Sequence, residues 1–412
     1  MKEKIAIIGG GQAGLQLAIA LKRKNFSVSL VTNRSAQQLR SGSILSSQGM
    51  FDSALSVERS LGIDFWQEKA PQNNALTFTL SNPADSTIAI QWQSKIQSYQ
   101  SVDQRIKFSH WMDIFEKEGG KLVVKDLNVQ DLDEISQSND LTIISAGKGE
   151  ISQLFPRNEK ESRFTSPQRM LSCIYVNDVV PANPAGVRAN IIPGIGEFFV
   201  IPGLTLNGHC EMMLFEGIPN GPFDCWKDIK TVEEQFRTGL ALLEKFAPWE
   251  AKRFRNAKPT DKNAGLIGSY TPTVRHPTAK LPSGKFVLGI GDAVVLNDPI
   301  AGQGANNACK AAHVYAENII NHSGNAFDEM WMKKTFQQYW DNHGKWATQW
   351  SNMLLTPPPP HIIELLQAAS RDPHIAHKLA YGFDTPSTLF PWILDPVATH
   401  DMITPRKTLA FN

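Results

Sequence analysis

Cysteine is sparse in this chain. Cys173, Cys210, Cys225 and Cys309 stand apart, with no Cys-x-x-Cys spacing among them. That pattern excludes a zinc ribbon and a disulfide framework, and makes a reducing cytoplasm the expected location. Excess charge is missing too. The 41 basic and 40 acidic residues leave a formal net charge of +1, which offers no footprint for nucleic acid or for a polybasic membrane contact. Long apolar runs are absent as well. The first, "IAII" at residues 5–8, ends at glycines, too short for a signal peptide's hydrophobic region or a bilayer span. No internal repeat occurs, and no low-complexity tract beyond Pro357–Pro360. What is present suits a soluble protein: 412 residues, 42% hydrophobic and 20% charged, enough for two or three domains with a sizeable core.

Hydrophobic periodicity gives the organisation. Residues 4–8 read as a buried strand, a helix pattern runs from Ala13 to about Lys24, and "SVSLV" (27–31) reads as a second strand. Leu76–Leu80 and Ile88–Trp92 suggest an antiparallel hairpin. A helix over Arg105–Glu118, stopped by Gly119-Gly120, precedes strands at "KLVVK" and "LTIISAG". Ile174–Val176, Glu197–Ile201 and Glu211–Phe215 look like longer antiparallel strands, with a helix at Val232–Phe246 over them. After a strand at Lys285–Ile290 the chain is mostly helical from Asn306, and Pro357–Pro360 forces an extended linker. The expected fold is α/β. A Rossmann-type nucleotide domain (1–70, 100–170, 280–325) interleaves with a mixed-sheet substrate domain (71–99, 171–279), and residues 326–412 form a C-terminal helical region. Such a junction makes a cleft where a cofactor can meet a substrate.

Gly9, Gly11 and Gly14 form a Gly-x-Gly-x-x-Gly pattern, with Gln12 and Ala13 inside it, between the first strand and the first helix. The first glycine permits a tight turn, the second lets backbone approach a pyrophosphate, and the third lets helix and strand pack closely. At the end of the second strand, where an acidic ribose ligand is usual, stand Thr32, Asn33 and Arg34. Thr and Asn accept hydrogen bonds more weakly than a carboxylate. Either the acid comes from elsewhere in the chain, or the cofactor is held loosely and exchanges.

A late segment, "GDAVVLNDPIAGQGANNA" (291–308), completes a pairing that resembles the flavin-dependent aromatic monooxygenases. The resemblance implies that Asp292 binds the ribityl chain of FAD and that Pro299–Gly304 runs beside the isoalloxazine. Amides near Gly304, Ala305 and Asn306 would face its N1 and O2 edge, with Gly302 and Gln303 in the same cofactor-binding segment. A helix N-terminus there stabilises the negative charge of reduced flavin. Arg105 matches a family arginine that touches the flavin phosphates or ribityl chain. "SAGKGEISQLFP", "SPQRMLSCIYV" and "GEFFVIPGLTLNG" narrow the resemblance to the styrene and indole monooxygenases. Ser46, Gln48 and Met50 in "SSQGM" resemble the indole-preferring members; the plainer reading is a loop beside the flavin with no part in selectivity.

That resemblance implies the oxygenase component of a two-component system. Reduced FAD would come from a separate NADH-dependent flavin reductase. A C4a-(hydro)peroxyflavin formed with O2 would epoxidise indole at C2=C3, leading to 3-hydroxyindole and indigo, and styrene to styrene oxide. Ser46, Gln48, Met50, Pro299 and Asn306 are the expected catalytic-site residues, and the small aromatic substrate and the reductase are the expected partners, with a homodimer left open. Rival readings are a single-component NAD(P)H-dependent aromatic hydroxylase and a flavin-binding protein without catalysis; the Trp-x-Trp-x-Ile-Pro signature of flavin-dependent halogenases is absent. His374 and His377 lack a carboxylate at matching spacing, so no metal site is expected. Trp331, Trp340, Trp346, Trp350 and Trp392 read as packing residues of the C-terminal helices, with a minority reading in which one closes the substrate pocket.

Overall fold

A computed structural model describes residues 3–82, 84–147, 149–322 and 324–404. Lys148, inside one of the resemblance segments, lies outside the described residues, as does the end of the C-terminal region from Pro405.

Two sheets organise the chain. The first has six strands in the order Thr278–Lys280, Phe286–Gly289, Leu141–Ile144, Lys4–Ile8, Ser27–Thr32, Lys121–Val124. All neighbours are parallel except the first pair. Lys4–Ile8 sits inside this sheet, and Ile5 to Ile8 are all buried, as a strand covered on both faces requires. Helices Gln12–Arg23, Gln104–Lys117 and Gln303–Ile320 pack into the same core. The strand at 278–280 straddles the expected 279/280 boundary.

The second sheet has eight strands. Thr87–Lys95, Ala75–Asn82, Val187–Ile192, Gly196–Thr205, Gly208–Gly217, Met170–Asn177 and Lys258–Pro259 follow one another, and Gly265–Ser269 also pairs with Met170–Asn177. All pairs are antiparallel except Val187–Ile192 with Ala75–Asn82. At the edge, Thr87–Lys95 alternates buried and exposed residues from Ile90 on, the mark of a sheet with one wet face. Helix Val232–Phe246 begins at a capping box between Thr231 and Glu234. Helices Lys345–Leu354, Pro360–Ala369 and Pro373–Asp384 share a core with this sheet.

Three local readings change. A polar helix at Val129–Gln137, capped by Asn128 and Asp131, lies between strands where sequence periodicity showed none. Pro360 starts helix Pro360–Ala369, so only Pro357–Pro359 stay extended; proline is tolerated at a first helical position because its missing N–H has no partner there anyway. The helix of the late glycine motif begins at Gln303, three residues before Asn306. Among the described residues, no helix is long and apolar enough to cross a membrane.

Candidate active site

The glycines of the first motif differ in what requires them. Gly9 has φ +118°, and a Cβ there would lie 2.8 Å from the backbone of Ser145 and Ala146. A Cβ on Gly14 would overlap the Gly9 carbonyl oxygen. Fold packing alone therefore demands both. At Gly11 a Cβ would meet no atom of the described residues within 4 Å, and the backbone is ordinary and extended, φ −92° and ψ −168°. The chain has no steric need for glycine there, and its absence of a side chain leaves the cleft in front of the helix open to a ligand.

The second motif repeats this arrangement. Gly302, at φ +63° and ψ 23°, caps helix Gln303–Ile320 without a side-chain bond, as Gly11 caps helix Gln12–Arg23. Gly304 also has open space where a Cβ would stand. The two helices are locked side by side, with Gln16 Nε2 donating to the Cys309 carbonyl at 3.0 Å. Two bare helix N-termini thus open on one cleft of about 910 Å³, each with unsatisfied amides and a partial positive charge. Asp292, exposed on the turn after strand Phe286–Gly289, lines the same cleft; glycine at 147 lets its backbone come close, since a Cβ there would sit 2.6 Å from the Asp292 Cβ. These residues fit a ligand with an anionic centre and an extended polyol or ribose chain, which are parts of FAD.

Gly9, Gly11, Gln12, Ala13, Thr32, Asn33, Arg34, Ser46, Gln48, Asp292, Pro299, Gly302, Gly304 and Ala305 all line the cleft. Gly14, Arg105, Met50, Gln303 and Asn306 do not. Arg105 is a correction. Its guanidinium is 1% exposed and ion-paired with Asp103 (2.7 Å) and Asp261 (3.0 Å), with a further bond to the Gly42 carbonyl. A cation so enclosed has no donor directed at a phosphate. Met50 packs with Ala54, Leu55 and Cys309 instead of facing the cleft. Asn306 is a staple: its Nδ2 donates to the carbonyls of Gly49 (2.8 Å) and Gly302 (2.7 Å), and its Oδ1 accepts from the Phe51 amide (2.9 Å).

The 46–50 loop is held from every side. The Ser46 carbonyl accepts from the Tyr175 hydroxyl at 2.5 Å. Gln48 donates to the Val102 carbonyl and accepts from Gln104 at 2.7 Å. A Cβ on Gly49 would overlap the Tyr99 hydroxyl, and burial pushes that hydroxyl's pKa up, keeping it protonated.

On the far side of the loop the cleft becomes an apolar chamber. Leu76 and Val187 are register partners, as are Ala189 and Phe199, and Phe199 and Leu214, so they share one sheet face. That face lines the chamber together with Phe51 and Phe383. None of these was singled out from sequence, although every-second-residue alternation in "VRANII" was available. Among the described residues, no tryptophan of the C-terminal region lines the cleft; Trp350 stands behind Phe383, ring centroids 5.3 Å apart. Asp126 was also missed. It follows strand Lys121–Val124, whose Val124 pairs with Thr32, and it lines the cleft near Asn33 and Arg34.

A buried acid cluster supports the Pro299–Ala301 turn. Asp298 Oδ1 accepts from the Ile300 amide at 3.1 Å. Glu197 and Glu216 face each other across the sheet, and Arg169 holds Glu197 by two bonds of 2.6 and 2.9 Å. Burial raises Asp298 to about 7 and Glu216 well above the usual carboxylate range. One arginine among three desolvated carboxyl groups favours protonation within the cluster and so limits negative charge beside this turn.

Residues 4–125 match an FAD-binding domain model, and residues 147–253 match the substrate-binding domain model of styrene monooxygenase A. The styrene monooxygenase StyA of Pseudomonas fluorescens is 27% identical over 396 residues, covering 94% of both chains. The chain is similar to the styrene monooxygenases over nearly its whole length. That similarity supports an FAD-dependent monooxygenase of the aromatic-hydroxylase-like fold. Solved structures share that fold: a flavoprotein/dehydrogenase from Cytophaga hutchinsonii (TM-score 0.64, 15% identity, 97% of this chain and 99% of that one) and the flavin-dependent brominase Bmp2 (TM-score 0.62, 15% identity, 97% and 92%).

Proposed function

We propose that this chain is the oxygenase component of a two-component flavin monooxygenase that epoxidises indole at C2=C3 and styrene at its vinyl group. The observation that carries the reading is the junction at Pro299–Gly304, where a bare helix N-terminus adjoins an apolar chamber built on a sheet face. When bound, reduced FAD supplies two electrons and activates O2, giving one oxygen atom to the alkene and leaving water and oxidised FAD.

The protein's own part is position and dryness. Helix amides at Gly304 and Ala305 stabilise negative charge on the reduced cofactor. Amides at Gly11 and Gln12 hold the pyrophosphate, and Asp292 holds the ribityl chain. Leu76, Ala189, Phe199 and Leu214 exclude the water that would divert oxygen to peroxide. Gln48 and the Ser46–Gly49 backbone orient the ring beside the flavin, with Gln48 Oε1 retaining a lone pair for an indole N–H. Thr32–Arg34 hold the adenosine side without a strand-end acid, and Asp126 is the nearby carboxylate that takes the ribose. A flavin that arrives reduced and leaves oxidised needs such moderate grip.

The test is product formation from purified protein, FAD, NADH and indole, with and without an unrelated flavin reductase. Blue pigment only with reductase supports the proposal. Pigment without it assigns NADH oxidation to this chain, and no pigment in either arm refutes the activity.

A further inference from the structure

The motif glutamine Gln303 faces away from the cleft. It is 1% exposed, and its amide donates to the carbonyl of Ala301 (2.9 Å) and to that of Phe383 (2.7 Å), eighty residues later. One amide group therefore joins the flavin-side turn to the end of helix Pro373–Asp384. The next helix-end carbonyl, Asp384, accepts from the buried Lys310 Nζ at 2.8 Å, and the Asp384 carboxylate accepts from the Ser53 amide at 3.2 Å and from its hydroxyl. Carbonyls at a helix C-terminus lack intrahelical partners. Here two of them are satisfied by residues of the helix that starts at the flavin turn.

That tethered end is where the C-terminal region reaches the cleft. Ala380 and Phe383, three apart and so on one helix face, line the chamber. The Phe383 ring meets Trp350 edge-on at 5.3 Å and Phe51 at 6.5 Å. Phe51 is tied through its own amide to Asn306. Phe383 thus cannot retreat into the C-terminal helices without displacing Trp350, and its height over the chamber follows the Pro299–Gly304 turn.

We infer that Phe383 sets the size of aromatic ring system the chamber accepts, and that Gln303 is the positioning residue that fixes Phe383 to the flavin-side turn. This rests on the proposed reading of the chamber as a substrate site. The ligand class is a planar arene of one or two fused rings, discriminated by the Phe383 wall and not by a hydrogen bond.

The experiment is calorimetric binding of styrene and 2-vinylnaphthalene to the full chain at saturating FAD, for the wild type, Phe383→Ala, Phe383→Trp and Gln303→Met. Phe383→Ala is expected to shift the affinity ratio toward the two-ring ligand by about tenfold, and Phe383→Trp to shift it the other way by a similar factor, the scale set by filling or emptying an apolar pocket. Gln303→Met keeps the side chain's length but loses the donor, and is expected to move the ratio in the Ala direction by about threefold. FAD affinity of the Phe383 variants should stay at the wild-type value. Ratios within twofold of wild type in both folded Phe383 variants overturn the inference, and an unmoved ratio in Gln303→Met alone overturns the positioning role. Styrene turnover by the wild type is scored separately. Absent turnover with shifted ratios refutes the proposed activity and keeps the wall; turnover with unmoved ratios does the reverse.

Discussion

Replacing Gly11 by valine separates a ligand-driven glycine from a fold-driven one. A Cβ at Gly11 would have no described protein atom within 4 Å, and the φ and ψ there suit any residue. Stability should therefore change little. Loss of a glycine helix cap and gain from a less flexible unfolded chain are each about 0.5–1 kcal/mol and of opposite sign. The cost falls on the ligand. A side chain there pushes the pyrophosphate off the helix amides, and losing one or two charge-assisted hydrogen bonds at about 1.5–3 kcal/mol each weakens binding by roughly tenfold to twenty-thousandfold. Gly14→Ala is the control, because its Cβ overlaps the Gly9 carbonyl oxygen and backbone must shift; overpacking of that kind costs about 1–3 kcal/mol. Thermal melting without FAD, and FAD titration by flavin fluorescence, give both numbers. Gly11→Val should melt like the wild type and bind FAD at least tenfold more weakly, while Gly14→Ala should melt lower. Wild-type FAD affinity in a folded Gly11→Val protein refutes the placement of the cofactor against this turn.

Three further outcomes follow from the same structure. Arg169→Ala removes the cation facing Glu197, Glu216 and Asp298, and denaturant unfolding should show a loss of about 3–5 kcal/mol, the cost of a broken buried pair. Asp298 is raised to about 7 by burial, so the folded state holds its proton where the unfolded state has released it; this stability is full below pH 4 and is lost as pH rises through about 7. Urea unfolding at pH 5 and pH 8 should differ by on the order of 1–3 kcal/mol from this group, and Asp298→Asn should flatten the slope. Gly49→Ala places a methyl on the Tyr99 hydroxyl and should displace the 46–50 loop, so that more peroxide and less product form per reduced flavin.

The nucleotide half was legible because its requirements are local. A tight turn, a close helix–strand contact and a bare helix start each leave a glycine at a fixed offset, and Gly9, Gly14 and Gly302 are used in that way. The strands Met170–Asn177, Gly196–Thr205 and Gly208–Gly217 were legible from apolar runs, though their ends extended further, while Val187–Ile192 between them was missed. The chamber was not legible, because its wall joins Leu76, Ala189, Phe199, Leu214 and Phe383 from five separate elements. Strand register, which no single segment carries, decides which apolar residues share that face. Arg105 shows the same gap from the other direction. It resembles a family arginine by its place in the sequence, but Asp261, 156 residues away, engages the guanidinium. Gln303 and Asn306 belong to the late motif, yet their amides join chain segments instead of touching the cleft.

The proposed activity puts one atom of O2 into an aromatic alkene within the apolar chamber. Its most direct test is a single turnover with chemically reduced FAD, styrene and ¹⁸O₂, followed by mass spectrometry of the product. Styrene oxide carrying one ¹⁸O atom, formed without any reductase present, is the expected product. Recovery of unreacted styrene with peroxide as the only oxygen product would contradict it.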